Sequence, residues 1–263
     1  MRAQEMTDIA GRRSFIKSTA ALAALAAFRP QLAVADAPKL AVPISMLPAA
    51  LPVLERFRLA ADAGFSGIEM STMSDPSEAA QIRDASERTG LRIHCVVNAS
   101  CRRSPLSSAD PQVVRQGVAG METSLRNAWL WGADAVLFVP AAAGADTTYK
   151  DAWNRSQKVI RERILPLARH LDVVLAVDEV WDGFILGPPE VARYVDALRS
   201  PWVKACFDTG RSVFYAAPQD WIRALGSRLA KVRARKARAD WVEVAEALRE
   251  IGYEGWVTVD SLT

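Results

Sequence analysis

Val173-Val174-Leu175-Ala176-Val177-Asp178 is a run of five apolar residues, three of them β-branched, ended by an acid. A run this short and this apolar reads as a strand covered on both faces, the situation of a parallel sheet. Ala135-Val136-Leu137-Phe138-Val139 repeats the pattern. Working outward in both directions, further strands are expected at Lys39–Met46, Gly67–Met70, Leu91–Val97, Val203–Asp208, Leu229–Ala234 and Trp256–Asp260. Helical periodicity fills the gaps. Val114, Val118, Met121 and Leu125 share one face, with Asp110 as N-cap and Pro111 at the first helical position. Trp153, Ile160, Ile164, Leu167 and Leu171 share another. Asp240-Trp241-Val242-Glu243 opens a last helix that stops near Gly252.

Strand–helix alternation of this kind predicts an α/β fold, a (β/α)8 TIM barrel, rather than an open sheet. The sequence ends at Thr263, three residues after the last strand, so the barrel is expected to lack its final helix. The apolar surface left over would be covered by a homodimer interface or a rearranged terminus.

Half of the 263 residues are apolar and 24% are charged, which excludes a disordered chain, a collagen-like repeat and a disulfide-stapled miniprotein. Of 33 Lys and Arg, five lie within residues 1–35, and of 30 Asp and Glu, two do, so the remainder carries 28 of each sign. A nucleic-acid partner calls for a basic excess in the folded part, and there is none. Within the basic leader, Gly11-Arg12-Arg13-Ser14-Phe15-Ile16-Lys17, an Ala/Leu-rich stretch and Ala33-Val34-Ala35 follow one another. They predict a twin-arginine export signal over residues 1–35, cleaved after Ala35 and read by the Tat machinery. The folded part, 36–263, is then periplasmic or secreted, with no membrane span. Cys95 and Cys101 are six residues apart and available to pair in such a compartment; the alternative is burial as free thiols, the reading adopted for Cys206.

Barrel active sites lie at the C-terminal strand ends. Glu69, Asp178, Asp208 and Asp260 are expected there, after strands two, five, six and eight. Converging carboxylates need a cation, which is either a divalent metal or an arginine, and Arg233 lies on strand seven between two of them. Taken singly, each acid is also a common turn former or helix cap.

Several longer stretches resemble the xylose isomerase-like barrels, the sugar phosphate isomerase/epimerase family. They are Ala61-Asp62-Ala63-Gly64-Phe65-Ser66-Gly67-Ile68-Glu69, Ala176-Val177-Asp178-Glu179-Val180-Trp181-Asp182, Phe207-Asp208-Thr209-Gly210 and Gly252-Tyr253-Glu254-Gly255-Trp256-Val257-Thr258. The resemblance implies a divalent metal (Mn, Mg, Co or Zn) and two acids that move a proton between neighbouring carbons of a sugar through an enediol-like intermediate. The family's ligand positions fall on Asp178, Asp208, Arg233 and Asp260. Two are aspartate where the family has glutamate, shorter by roughly 1.5 Å. Arginine has five donors and no lone pair, so Arg233 cannot ligate an ion. The metal set of Asp178, Asp208 and Asp260 is therefore degraded.

Two functions follow. One is a sugar isomerase/epimerase acting on a small polyhydroxy carbonyl compound, with Asp178 and Asp260 as acid/base pair and Arg233 stabilising negative charge. Glu69, His94, Trp181, Arg211 and Arg235 would bind its carbohydrate-like substrate. The other is a non-catalytic pseudoenzyme or binding protein for an anionic sugar or acid, in which Arg233 pairs with Asp178, Asp208 and Asp260 and no metal binds.

Overall fold

All eight apolar runs form strands, each pairing in parallel with its neighbours until the last meets the first. The computed structural model describes residues 39–143, 147–178, 184–185, 187–212, 217–235 and 240–260, the side chains of 211 and 212 excepted. The leader read as an export signal lies outside the described residues. The strands are β1 (Lys39–Pro43), β2 (Gly67–Ser71), β3 (Arg92–Val97), β4 (Ala135–Phe138), β5 (Val174–Val177), β6 (Val203–Asp208), β7 (Leu229–Ala234) and β8 (Trp256–Val259). The expected first strand, to Met46, was too long: it stops at Pro43, and Ile44–Met46 turns into a 3-10 helix. Pro43 has no N–H to offer a continuing ladder.

A helix follows each of the first seven strands, as in a (β/α)8 barrel. They are α1 (Val53–Asp62), α2 (Pro76–Thr89), α3 (Pro111–Trp131), α4 (Tyr149–Val159), α5 (Leu165–His170), α6 (Pro188–Ala197), α7 (Thr209–Ser212), α8 (Pro218–Leu225) and α9 (Trp241–Glu250). Asp110 caps α3 by accepting from Gln112 N at 2.7 Å, and Asp240 caps α9 by accepting from Val242 N at 2.9 Å. The face expected to run from Trp153 to Leu171 is broken by a π turn at Ile160–Ile164 joining α4 to α5. Pro166 supplies no N–H for the α ladder, and the wider turn takes up the mismatch. Leu165 and Ala168 are buried as a result, while Leu167 is only half-buried.

Outward-pointing strand residues and inward-pointing helix residues make one continuous core. The barrel interior is divided. On one side Cys95, Ala135, Leu137, Ala176 and Cys206 form a small apolar cluster. On the other, β7 and β8 face β2 and β3 with charged and polar side chains. Gly67 at the start of β2 lies against Trp256, where an added Cβ would come within 2.5 Å of the indole ring. That ring stacks on His94 with centroids 4.8 Å apart and donates from Nε1 to Asp134 at 3.1 Å, so it has little room to retreat. Gly67→Ala is expected to cost about 1–3 kcal/mol in urea unfolding, the usual range for overpacking. An unchanged midpoint would show that the indole moves freely.

Candidate functional site at the barrel mouth

β7 reads Lys231-Val232-Arg233-Ala234, with Arg235 following. Strand residues alternate between faces, so Lys231, Arg233 and Arg235 point to the same side and the apolar residues between them to the other. Val232 and Ala234 are packed in the outer core. The three cations rise from the barrel interior towards its mouth. Lys231 is 2% exposed, Arg233 11% and Arg235 34%.

Carboxylates from other strands meet them in order. Glu69, itself 2% exposed, lies within β2 rather than after it and ion-pairs across the barrel with both Lys231 and Arg233. Arg233 also approaches Asp260 at 3.8 Å. Arg235 bridges two acids: its Nε lies 3.0 Å from Asp208 Oδ2, and its Nη2 lies 2.7 Å from Asp260 Oδ2. Of the pairing expected for Arg233, the contact with Asp260 is present, and Asp208 is the partner that is corrected. Arg233 reaches chiefly Glu69, and Arg235 takes Asp208. Arg233 is in register with Asp208 on β6, but its side chain reaches Glu69 in the interior, while Arg235, two residues further along, meets Asp208 and Asp260.

Lys231 is a participant that sequence reasoning did not single out. Its Nζ donates to Thr258 Oγ1 at 2.7 Å and lies 3.4 Å from His94 Nε2, which Thr258 Oγ1 approaches at 3.2 Å. An ammonium can only donate, so Nε2 accepts and the ring proton belongs on Nδ1. Burial first, and then the cations Lys231, Arg92 and Arg233, hold His94 well below its ordinary pKa. It is neutral, buried and satisfied beneath the mouth. The signal for Lys231 was present as the period-two spacing of 231, 233 and 235, which reverses the usual apolar-in pattern of a strand.

Glu69 is ionised. Burial would raise its pKa, but Lys231 and Arg233, by charge and by hydrogen bonding, bring it below the usual value. Arg233 is held above the ordinary arginine range because Glu69 and other nearby acidic groups outweigh the opposing effect of burial.

Asp178 stands immediately after β5 and is 6% exposed. Asp208 ends β6 and is fully buried, its Oδ1 accepting from Gly210 N at 2.9 Å. Asp260 follows β8 and is half-buried, with its backbone N–H donating to Ala234 O. The Asp208-Thr209-Gly210 turn also fixes Arg235. Arg235 N donates to Thr209 Oγ1 at 3.0 Å, and the hydroxyl donates back to Arg235 O at 3.3 Å. Gly210 faces Arg235 closely: an added Cβ would lie 2.8 Å from Arg235 Cβ. Trp181 and the Arg211 side chain, both expected to touch substrate, lie outside the described residues.

The cysteines are free. Cys95 faces the interior cluster, with its thiol pushed up to about 11 by burial. Cys101 turns away into the loop after β3 and donates from Sγ to Asn98 O at 2.9 Å, so the two do not pair. Burial first, opposed by the Val139 N–H and joined by the Asp178 charge, raises its pKa.

A divalent cation does not fit this donor set. Asp208 and Asp260 already share the guanidinium of Arg235, and Arg233 occupies the third expected ligand position. Among the described residues no three His, Cys, Asp or Glu side chains form a group able to hold a metal.

Solved structures similar to this chain include D-psicose 3-epimerase with D-tagatose from Clostridium cellulolyticum H10, 19% identical, covering 84% of each chain with a TM-score of 0.74. The 3-keto-D-glucoside 4-epimerase from E. coli is 15% identical, covering 85% of this chain and 91% of that one, with a TM-score of 0.75. An AP endonuclease, family 2, from Brucella melitensis is 21% identical, covering 84% and 92%, with a TM-score of 0.70. At these identities the likeness is one of fold. A comparison with curated protein sequences finds no match. The sequence itself matches the xylose isomerase-like TIM barrel family over residues 57–262, most of its length, and the chain belongs to that family.

Proposed function

We propose that this protein is a sugar isomerase/epimerase-type enzyme that acts on a small, uncharged polyhydroxy carbonyl compound without a resident divalent metal. The observation that carries this reading is that carboxylates remain at the mouth while the cation serving them is arginine. Asp178 and Asp260 end strands three apart around the eight-stranded barrel, so a sugar held between them has an acid on either side. One carboxylate removes the proton from the carbon next to the carbonyl, whose electron pair becomes the double bond of an enediolate. The other, which enters the cycle as the carboxylic acid, gives up its proton to the carbon, and exchange with water resets the pair. A guanidinium hydrogen-bonds the oxygen that carries the charge in between.

An uncharged substrate is favoured because the described cations are already matched. Glu69 serves Lys231 and Arg233, and Asp208 and Asp260 serve Arg235, with Asp178 adding a further negative charge. An anionic sugar would add to a set of charges in which the described acids already outnumber the cations. Export by the twin-arginine route is part of the same proposal, and it would deliver the enzyme already folded.

The test is incubation of the full chain with a panel of free five- and six-carbon ketoses in D2O with EDTA, followed by NMR. Deuterium is expected at the carbon beside the carbonyl, at a rate indifferent to the chelator. Exchange that appears only after manganese or cobalt is added would defeat the metal-free mechanism. The non-catalytic reading is favoured by one observation, the engagement of Asp260 with both Arg235 and Arg233. Saturable sugar binding without any exchange would establish it.

A further inference from the structure

We infer that Arg235 is the cation a ligand meets, and that β7 carries it as a built-in replacement for the family's divalent ion. Its catalytic half rests on the function proposed above. Arg233, the arginine in the histidine position, is committed to Glu69 inside the barrel, and its Nε is buried without a hydrogen-bond partner among the described residues. Arg235 is differently placed. It is the most exposed of the three cations on this face, and it spans two of the carboxylates that the resemblance assigns to the metal. Asp208 and Asp260 sit on strands that flank β7, so one guanidinium rising from the strand between them neutralises both. Its hydrogen bonds from Nε and Nη2 both end on Asp260 Oδ2, and Asp208 is held by the ion pair at 3.0 Å. The two N–H donors on Nη1 have no protein partner among the described residues, and Nη1 is not among the buried unsatisfied atoms.

A planar group hydrogen-bonded along one edge to Asp260, ion-paired with Asp208 and free at Nη1 is pre-organised to donate to a carbonyl oxygen. Its position is set by backbone as well as side chain. Thr209 ties both the N–H and the C=O of Arg235, and Gly210 leaves the room its Cβ and Cδ occupy. As the neighbouring C–H bond breaks and its proton passes to Asp178 or Asp260, the charge growing on the oxygen meets the Nη1 donors. When the proton returns, the charge is withdrawn and Arg235 is unchanged.

The replacement and the catalysis are tested separately on the full chain. Arg235→Gln leaves Asp208 and Asp260 without their shared cation. Its melting temperature is expected to rise by about 5–10 °C in manganese or cobalt at roughly 100 times the Kd. Wild type and Arg235→Lys are expected not to respond, and Asp208→Asn added to Arg235→Gln should abolish the response. If Arg235→Gln does not fold alone, recovery of its circular dichroism on adding metal reads the same property. A metal response in wild type, or none in Arg235→Gln, overturns the replacement. In the ketose exchange assay without metal, Arg235→Gln is expected to lose about 10²–10³ in rate. Equal rates in wild type and variant overturn the catalytic half. Absence of exchange in wild type, alongside a metal response in the variant, leaves the replacement standing and removes the proposed enzymatic function.

Discussion

Glu69→Gln is expected to destabilise the protein by about 3–5 kcal/mol at pH 7, the range found when one partner of a buried ion pair is removed. The side chain is 2% exposed and faces Lys231 and Arg233, both largely out of water themselves. Glutamine keeps the shape and one acceptor, so the loss is of charge, and two cations are stranded in the barrel interior. The direction of the Glu69 pKa gives the pH dependence. It is lower in the folded protein than the value of about 4.3 usual for an exposed glutamate. Its stabilisation is therefore complete above that unfolded value and is lost as the pH falls through the folded one. Urea midpoints of wild type and variant should lie far apart at neutral pH and converge in acid. A gap below about 1 kcal/mol at pH 7, or one that does not change with pH, would mean that water reaches Lys231 and Arg233.

Asp178→Asn is expected to lower ketose exchange by about 10²–10⁴, the usual worth of a positioned acid or base, with sugar binding little changed. Asparagine is isosteric and cannot take the proton. Asp260→Asn should lose a similar factor and also loosen Arg235, because Asp260 accepts from its Nε and Nη2. Asp178→Asn therefore separates chemistry from support more cleanly. Exchange rates measured by NMR, with circular dichroism as the control on folding, decide the matter. A loss smaller than tenfold at Asp178 would remove it from the proton path and leave Asp260 with a water as the pair to examine.

The barrel was legible because its strands announce themselves locally. Val173 to Val177 and Ala135 to Val139 are too apolar to lie anywhere but between two covered faces, and their alternation with capped helices leaves few arrangements. Asp178, Asp208 and Asp260 were legible for the same reason: an acid ending such a run stands at the rim. Glu69 was misplaced by the same logic, since the strand continues through Ser71 and leaves the carboxylate in the interior. The π turn before Pro166 was not foreseen because a helical face drawn with one period cannot register a turn that adds a residue.

The sequence by itself thus determined the fold, the rim acids and the presence of an arginine where an ion's ligand was expected. All of these depend on residue type and on spacing along one segment. Only the tertiary structure decided which charge meets which. Glu69, Lys231 and Arg233 lie more than 160 residues apart in part and come together across the barrel, and Asp208 reaches Asp260 through Arg235 because β7 is inserted between their strands. Coulomb energy falls with distance in space, not with separation along the chain, so charge pairing is settled only when the barrel closes.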